Sequence, residues 1–217
     1  MIHIQNLTKT FRVRGQIKTV IDDLTLTIPS GRAVALLGRN GAGKSTLLEM
    51  ISGTQKPDRG RILSDGSVSW SVGLNSSFHR ELTGAQNVRF IARIYGVDTA
   101  ELVEFVEDFS ELGRHFNMPV RSYSQGMRAR LGFGCSMGIH FDTYLVDEVT
   151  AVGDAAFKQK SRAVFLDRMK SSGAIMVSHS MPQVRQFCDA GLVLEDGQAH
   201  YFDDLEEAIA LHQDILS

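Results

Sequence analysis

Residues 36–46 read LLGRNGAGKST, and Gly38, Gly43, Lys44 and Ser45 within them fit the spacing G-x-x-x-x-G-K-[ST]. An apolar stretch precedes the run and a helix-forming stretch follows it. Glycines let backbone N–H groups turn inward around a polyphosphate without Cβ clashes. The following helix adds the positive end of its dipole. Lys44 supplies a formal charge to the outer phosphates, and the Ser45 hydroxyl suits Mg²⁺. Gly38, Asn40, Gly41, Ala42, Gly43, Lys44, Ser45 and Thr46 are therefore the candidate cradle for a nucleoside triphosphate. A glycine-rich turn that merely contains a lysine does not account for eight matching positions with both flanks in place. The motif alone does not separate GTPases, kinases, motors and transport ATPases.

Downstream, the apolar stretch DTYLVDE ends on Asp147 and Glu148. Asp147 is expected to hold Mg²⁺, directly or through water, and Glu148 to polarise the water that attacks the γ-phosphate. A solvated acidic turn is the common alternative. The phosphate loop upstream favours the catalytic reading. His179 ends the stretch AIMVSHS. A lone strand-end histidine is more often an ordinary core or surface residue, but parallel strand ends converge on the ligand, so His179 is read as a γ-phosphate sensor. Asp142, earlier in its strand, reads as a solvated residue.

The stretch RSYSQGMRARLGFG, residues 121–134, opens a helix on Ser124. Such a start offers free N–H groups, a hydroxyl and a positive dipole end, and Gly126 lets a backbone come close. This would be a second anion site away from Lys44. One chain then carries two half-sites, and a head-to-tail dimer satisfies both. The Lys44 side of one copy holds ATP, and the Ser124 helix of the other closes over its γ-phosphate under two-fold symmetry.

The elements that must position these groups alternate. IHIQNL, LTLTI and AVALLG carry strand signals, a helix runs from Lys44 to about Ser52, TQKPDRGRI reads as a turn-rich connection, and SVSWSVGL as a strand. From about residue 82 to 140 the texture is helical: AQNVRFIARIYG, then TAELVEFVEDFSELG with Leu102, Val106, Phe109 and Leu112 at helical spacing, then the Ser124 helix. Strand and helix alternate again through DTYLVDE, AAFKQKSRAVFLDRMKS and GAIMVSHS, followed by the short helix MPQVRQFC with Ser180 at its N-cap and Pro182 in its first turn. GLVLEDGQAHYF reads as a strand pair across an Asp-Gly turn, and DDLEEAIALHQDIL closes as a helix. The order predicts an α/β fold with a largely parallel sheet and a ligand at its carboxyl edge.

The 217 residues, 43% hydrophobic and 22% charged, suffice for one well-filled domain. A net charge of −2 gives no sign of a general nucleic-acid binder. Cys135 and Cys188 are too few and too far apart for a disulfide framework, which fits a reducing cytosol. No stretch approaches the ~20 apolar residues of a membrane span, and the N-terminus lacks the apolar core of a signal peptide. The expectation is a soluble cytoplasmic protein.

The order of phosphate loop, helical lobe, YSQGM helix, acidic pair and histidine resembles the nucleotide-binding subunit of an ABC transporter over essentially the whole chain. The resemblance implies a P-loop NTPase (RecA-like) core over 1–81 and 141–217, an N-terminal antiparallel β-subdomain and an inserted α-helical subdomain over about 82–140. YSQGM takes the place of the signature LSGGQ, AVGD (151–154) sits where the D-loop sits, with Asp154 crossing the dimer seam, and Phe11 matches the aromatic that stacks on adenine. Ser124, Gln125 and Gly126 would act on the nucleotide in trans. GRNGAGKSTLL, ISGTQKPDRGRI, LTGAQNVRFIARIYG, YSQGMRARLGFG, VDEVTAVGDAAFKQK and MVSHS are similar to ATPases that export capsular polysaccharide, and more distantly to teichoic-acid and O-antigen exporters. Some O-antigen ATPases carry an added C-terminal carbohydrate-binding domain, and the chain stops about where the cassette ends, which leans toward capsule.

Three positions depart from the family pattern. Gln125 replaces the signature's first glycine, and Met127 its final glutamine. The Q-loop glutamine falls near Leu74 or Asn75, where the Asn75 amide is the candidate metal ligand. The resemblance implies a second copy of the chain, an integral membrane permease and periplasmic or outer-membrane export components as partners. It implies ATP and Mg²⁺ as ligands, and a peripheral position on the cytoplasmic face of the inner membrane. Residues 76–95 are the candidate groove for a permease coupling helix, with Phe78, Leu82 and Phe90 as its apolar floor, or with Phe90 in the core. A soluble cassette acting on nucleic acid or ribosomes would be expected to carry tandem cassettes or a coiled-coil insert. A GTP switch would carry N-K-x-D, which the sequence lacks.

Overall fold

A computed structural model describes residues 1–13, 15–72, 78–147 and 154–216. The chain forms two compact units, one from residues 1–71, 141–149 and 171–217, the other from 72–140 and 150–170. The first unit opens with β1 (Ile2–Val13), β2 (Gln16–Ile28), β3 (Ala33–Leu37), α1 (Lys44–Ile51), β4 (Arg59–Ser64) and β5 (Val68–Ser71). The second contributes α2 (Gly84–Tyr95), α3 (Thr99–Ser110) and α4 (Gln125–Gly138). After β6 (Thr143–Asp147) comes α5 (Ala155–Met169), which belongs to the second unit. β7 (Gly173–Val177), α6 (Met181–Phe187), β8 (Ala190–Glu195), β9 (Gln198–Phe202) and α7 (Leu205–Leu216) complete the first.

The first unit holds two sheets. An antiparallel one has the order β2-β1-β4, and a six-stranded one the order β5-β6-β7-β3-β8-β9. In the larger sheet all neighbours are parallel except β8 and β9. Its central strands read AVALL, TYLVD, GAIMV and AGLVLE, and are buried along almost their whole length. Continuous apolar strands are what a parallel sheet covered on both faces requires. Ile2, Ile4, Leu7, Ile21 and Leu24 of the small sheet join Leu36, Leu47, Leu145, Ile175 and Leu192 in one hydrophobic core.

β4 takes up the second half of the turn-rich connection expected over TQKPDRGRI, while residues 54–58 form a connection as expected. β4 is an edge strand with five of its six residues exposed, so it carries no apolar alternation, and Pro57 and Gly60 read as turn punctuation. Asp142 is exposed, as expected, and its carboxylate also accepts the Ser67 N–H and the Ser67 hydroxyl, each at 2.7 Å, which clips the start of β5 to β6. The cap of α6 also differs in detail. Ser180 holds the N-cap position, but its side chain makes no capping bond. The Ser178 hydroxyl accepts the Ser180 N–H instead, at 3.1 Å, and bonds the Gln183 amide oxygen. The Asp-Gly turn forms as expected, with φ of 45° at Asp196 and 81° at Gly197 between Glu195 and its partner Gln198.

In the second unit, Thr83 and Gln86 form a reciprocal capping box at α2, and Asp98 caps α3. Leu102, Val106, Phe109 and Leu112 are buried, as their spacing predicts. Phe109 stacks on Phe133 of α4 at 5.7 Å and meets Phe157 of α5 edge-on at 5.3 Å. Burying a large apolar side chain of this kind contributes about 1.5–3 kcal/mol. That contact, with Lys160 bonded to Glu111, explains why α5 packs among the helices. Both cysteines are free and buried.

Candidate nucleotide site

The register of the parallel sheet brings several expected groups to one edge. Ala35, Met176 and Val146 share a rung, because β7 pairs with β3 on one side and β6 on the other. One step further along lie Leu36, Val177 and Asp147, and three steps along lie Gly38 and His179. The phosphate loop, Asp147 and His179 thus leave three neighbouring parallel strands at their carboxyl ends, where such sheets bind ligands.

The loop geometry demands its glycines. Gly43, at φ +107°, would place a Cβ 2.2 Å from Val20 Cγ1, and Gly38, at φ +147°, would place one 2.4 Å from the Leu194 carbonyl oxygen. Gly43 is also the N-cap of α1, so no side-chain cap closes the helix and no acidic residue occupies its first turn. Its first N–H groups and dipole end stay available to an anion. Lys44 is half-buried and folds back, its Nζ donating to the carbonyls of Gly38 at 2.7 Å and Arg39 at 3.0 Å. Burial lowers its pKa, and the Asp147 charge opposes that. Asn40, Gly41 and Ser45 are exposed, while Ala42 and Thr46 are half-buried.

Phe11 stands on β1 opposite Lys18 of β2 and is 37% exposed, with Lys9 Nζ 5.5 Å from its ring centre. Lys18 donates to the Gly41 carbonyl at 3.3 Å, which ties the hairpin to the loop. Asp58 fixes the strand beside Phe11. It accepts the Thr10 N–H at 2.7 Å and pairs with Lys9, and those bonds hold its carboxyl at about 2. Lys18, Arg39 and Gly41 line a cavity of about 210 Å³. A second, of about 310 Å³, is lined by Gly38, Lys44, Ser178, His179 and His212.

The remaining expected residues belong to the second unit. Ser124 caps α4, accepting the Met127 N–H at 3.2 Å. Ser124, Gln125 and Gly126 are exposed, and a Cβ on Gly126 would meet only Ser124 Oγ at 3.9 Å. Among the described residues, nothing requires glycine there. The arginines of the same helix are engaged within the chain. Arg128 donates to the Tyr123 carbonyl at 2.7 Å, and Arg130 pairs with Asp154 at 2.8 Å and Glu111 at 3.5 Å while lying 4.3 Å from the Phe157 ring centre. Asp154 also caps α5 through the Phe157 N–H, and that bond first, then Arg130, holds its carboxyl below the usual range. Within the single chain, then, Asp154 joins α4 to α5.

Glu148, Asn75 and residues 151–153 lie outside the described residues. Of the expected docking floor, Phe78 is buried and Leu82 half-buried, whereas Phe90 is 59% exposed. Exposure removes the core reading for Phe90, and burial removes Phe78 from any open floor. Spacing alone pointed to neither Lys18, Arg39 nor His212 as neighbours of the loop. Arg39 is a variable position of the motif, and His212 sits in the apolar stripe of α7. A histidine interrupting such a stripe is the one signal that was there to find.

A glycine-walled loop between a buried parallel strand and an uncapped helix, with acid and histidine at adjacent strand ends, defines a P-loop nucleotide-binding α/β protein. The profile of the ABC transporter family matches residues 21–151. The chain is 48% identical over 221 residues to the polysialic acid transport ATP-binding protein KpsT of Escherichia coli, covering 99% of each. It is 42% identical over 208 residues to the capsule polysaccharide export ATP-binding protein CtrD of Neisseria meningitidis serogroup B, covering 96% of each. Among solved structures, a dimeric post-hydrolysis ATP-binding cassette bound to ADP and Pi superposes with a TM-score of 0.75 at 22% identity, covering 94% of this chain and 99% of that one. The chain belongs to the ABC transporter family.

Proposed function

We propose that the protein is the ATP-binding and ATP-hydrolysing subunit of a transporter that exports capsular polysaccharide across the inner membrane. The observation that carries this reading is the open, glycine-walled mouth of α1, set with Lys44 at the strand ends that also carry Asp147 and His179. The names of the two relatives, one a polysialic acid transport protein and the other a capsule polysaccharide export protein, support the cargo.

The chain works on ATP as follows. Phe11 stacks on the base and the N–H groups of residues 41–46 line the phosphates. Lys44 exchanges the carbonyls of Gly38 and Arg39 for outer phosphate oxygens, trading bonds to neutral acceptors for bonds between opposite charges. The exposed Ser45 hydroxyl and the Asp147 carboxylate fit Mg²⁺, a hard cation that takes oxygen ligands from one or two protein groups plus phosphates, and Asn75 is a further amide ligand. Bound Mg²⁺ supplies electrophilic polarisation of the phosphoryl oxygens. Glu148 accepts the proton of the attacking water. The water oxygen bonds to the γ-phosphorus as the bond to the bridging oxygen breaks, releasing ADP and phosphate. His179 holds the γ-phosphate.

Ser124, Gln125 and Gly126 of a second copy close the pocket, which is supported by their exposure and by the open space around Gly126. Asp154 crosses the seam. The subunit acts at the cytoplasmic face, coupled to an integral permease and to periplasmic or outer-membrane components. Cells whose only copy carries Lys44→Ala should lose surface polysaccharide and retain polymer inside, while the purified variant loses ATP binding. Unchanged surface polymer in such cells contradicts the export function.

A further inference from the structure

The inner stripe of α7 is Leu205, Ala208, Ile209 and His212, all buried. Three of these serve the core. The fourth is an imidazole with 9% exposure whose Nδ1 has no hydrogen-bond partner among the described residues. Buried polar atoms are nearly always satisfied, so such an exception calls for a ligand, a water or a catalytic task. The His212 ring lines the cavity of about 310 Å³ that also takes Gly38, Lys44, Ser178 and His179. That volume is several times the ~30 Å³ share of one water in the liquid, and among its largely apolar walls Lys44, Ser178, His179 and His212 supply the polar partners a water needs.

A second tie joins α7 to the loop. Arg39 Nη1 donates to the Ile215 carbonyl at 3.4 Å, and α7 has no basic residue of its own in its last turn. The loop thus lends α7 the cation that a helix C-terminus favours. The Arg39 carbonyl is also one of the two that hold Lys44 at 3.0 Å. When Lys44 leaves that carbonyl for a phosphate, both attachments of α7 lie next to the change.

We propose that His212 is a positioning residue of the nucleotide site. Its unpartnered ring nitrogen is completed, through water held in the cavity, by Lys44 and the outer phosphates of bound ATP, so that α7 docks more firmly when nucleotide is present. This rests on the nucleotide-site reading above. A neutral imidazole offers one donor and one acceptor, so either tautomer gives the cavity a directed polar group. By linkage, whatever nucleotide does for α7, the docked α7 does for nucleotide affinity.

The test is amide hydrogen exchange across residues 205–216 with and without Mg·ATP, with steady-state ATPase kinetics, for wild type, His212→Leu and His212→Asn. Leucine suits the apolar stripe, and asparagine restores a polar atom at the distance of Nδ1 from the backbone. In wild type, Mg·ATP slows exchange over this helix. In His212→Leu, exchange and melting without nucleotide stay at or above the wild-type level of protection. The nucleotide-dependent slowing disappears, and KM for ATP rises about fivefold or more with a smaller change in kcat. His212→Asn recovers the slowing and much of the KM. A His212→Leu protein with wild-type slowing and KM overturns the proposal. Should that variant not fold, a wild type that binds ATP without slowed exchange over 205–216 overturns it equally. Failure of the wild type to show any ATP-dependent melting shift removes the nucleotide site itself, and this proposal with it.

Discussion

Lys44 is held by the carbonyls of Gly38 and Arg39, and those bonds exist only because the loop curls tightly enough to bring both to one ammonium. The curl depends on Gly43, whose φ of +107° and missing Cβ leave room for Val20. Gly43→Ala would set a methyl 2.2 Å from Val20 Cγ1. Strain in this backbone region together with overpacking should cost about 1–3 kcal/mol. Thermal unfolding should show a lower melting temperature, and the rise on adding Mg·ATP should vanish. At this scale the loop was readable directly, because four residue types at fixed spacing, with a strand before and a helix after, encode a backbone shape. His212 was not readable. On a helical wheel it occupies a core position, and only three-dimensional packing reveals that its stripe ends against the phosphate loop. Arg39 was hidden for a related reason, since a position where the motif tolerates any residue gives no sign of what that residue touches.

Among the elements, α1 and α4 both begin with exposed polar groups, but they are finished differently. α1 has a glycine at its N-cap and no side-chain cap, whereas Ser124 closes α4 with its own hydroxyl. The proposed anion site at α4 would therefore depend on what approaches Gly126 from outside the chain. Gly126→Ala adds a methyl that meets nothing closer than 3.9 Å and removes a helix glycine. The melting temperature should hold or rise, by up to about 1 kcal/mol of stability, while ATP hydrolysis falls. Circular dichroism melting and a phosphate-release assay on the same sample check both halves. Retained activity would remove the role of α4 in closing the pocket. Strong periodicities made α2, α3 and the buried strands legible. β4 was not, because an exposed edge strand with Pro57 just before it and Gly60 inside it has neither apolar alternation nor clean turn boundaries. The Ser180 cap was half legible. Its position is right, but Ser178 makes the bond.

For the whole molecule, the proposed task calls for coupling to a membrane partner; among the described residues no helix is long and apolar enough to cross a membrane. α2 presents Phe90, Ile94 and Tyr95 at 59%, 60% and 42% exposure, a face of apolar area that suits a partner. Phe90→Glu should leave ATP binding and melting unchanged, and reduce surface polysaccharide in cells. Normal surface polymer would take the permease contact away from this face. The proposed function requires ATP to be closed in by two copies of the chain, one supplying the phosphate loop and the other the start of α4. It is tested by mixing chains carrying Asn40→Cys with chains carrying Ser124→Cys, both bearing Glu148→Gln to slow turnover, and adding a short thiol cross-linker. Cys135 and Cys188 are buried and should not compete. The account predicts covalent pairs of unlike chains that form with Mg·ATP and not without it. No pairs in the presence of bound Mg·ATP would contradict it.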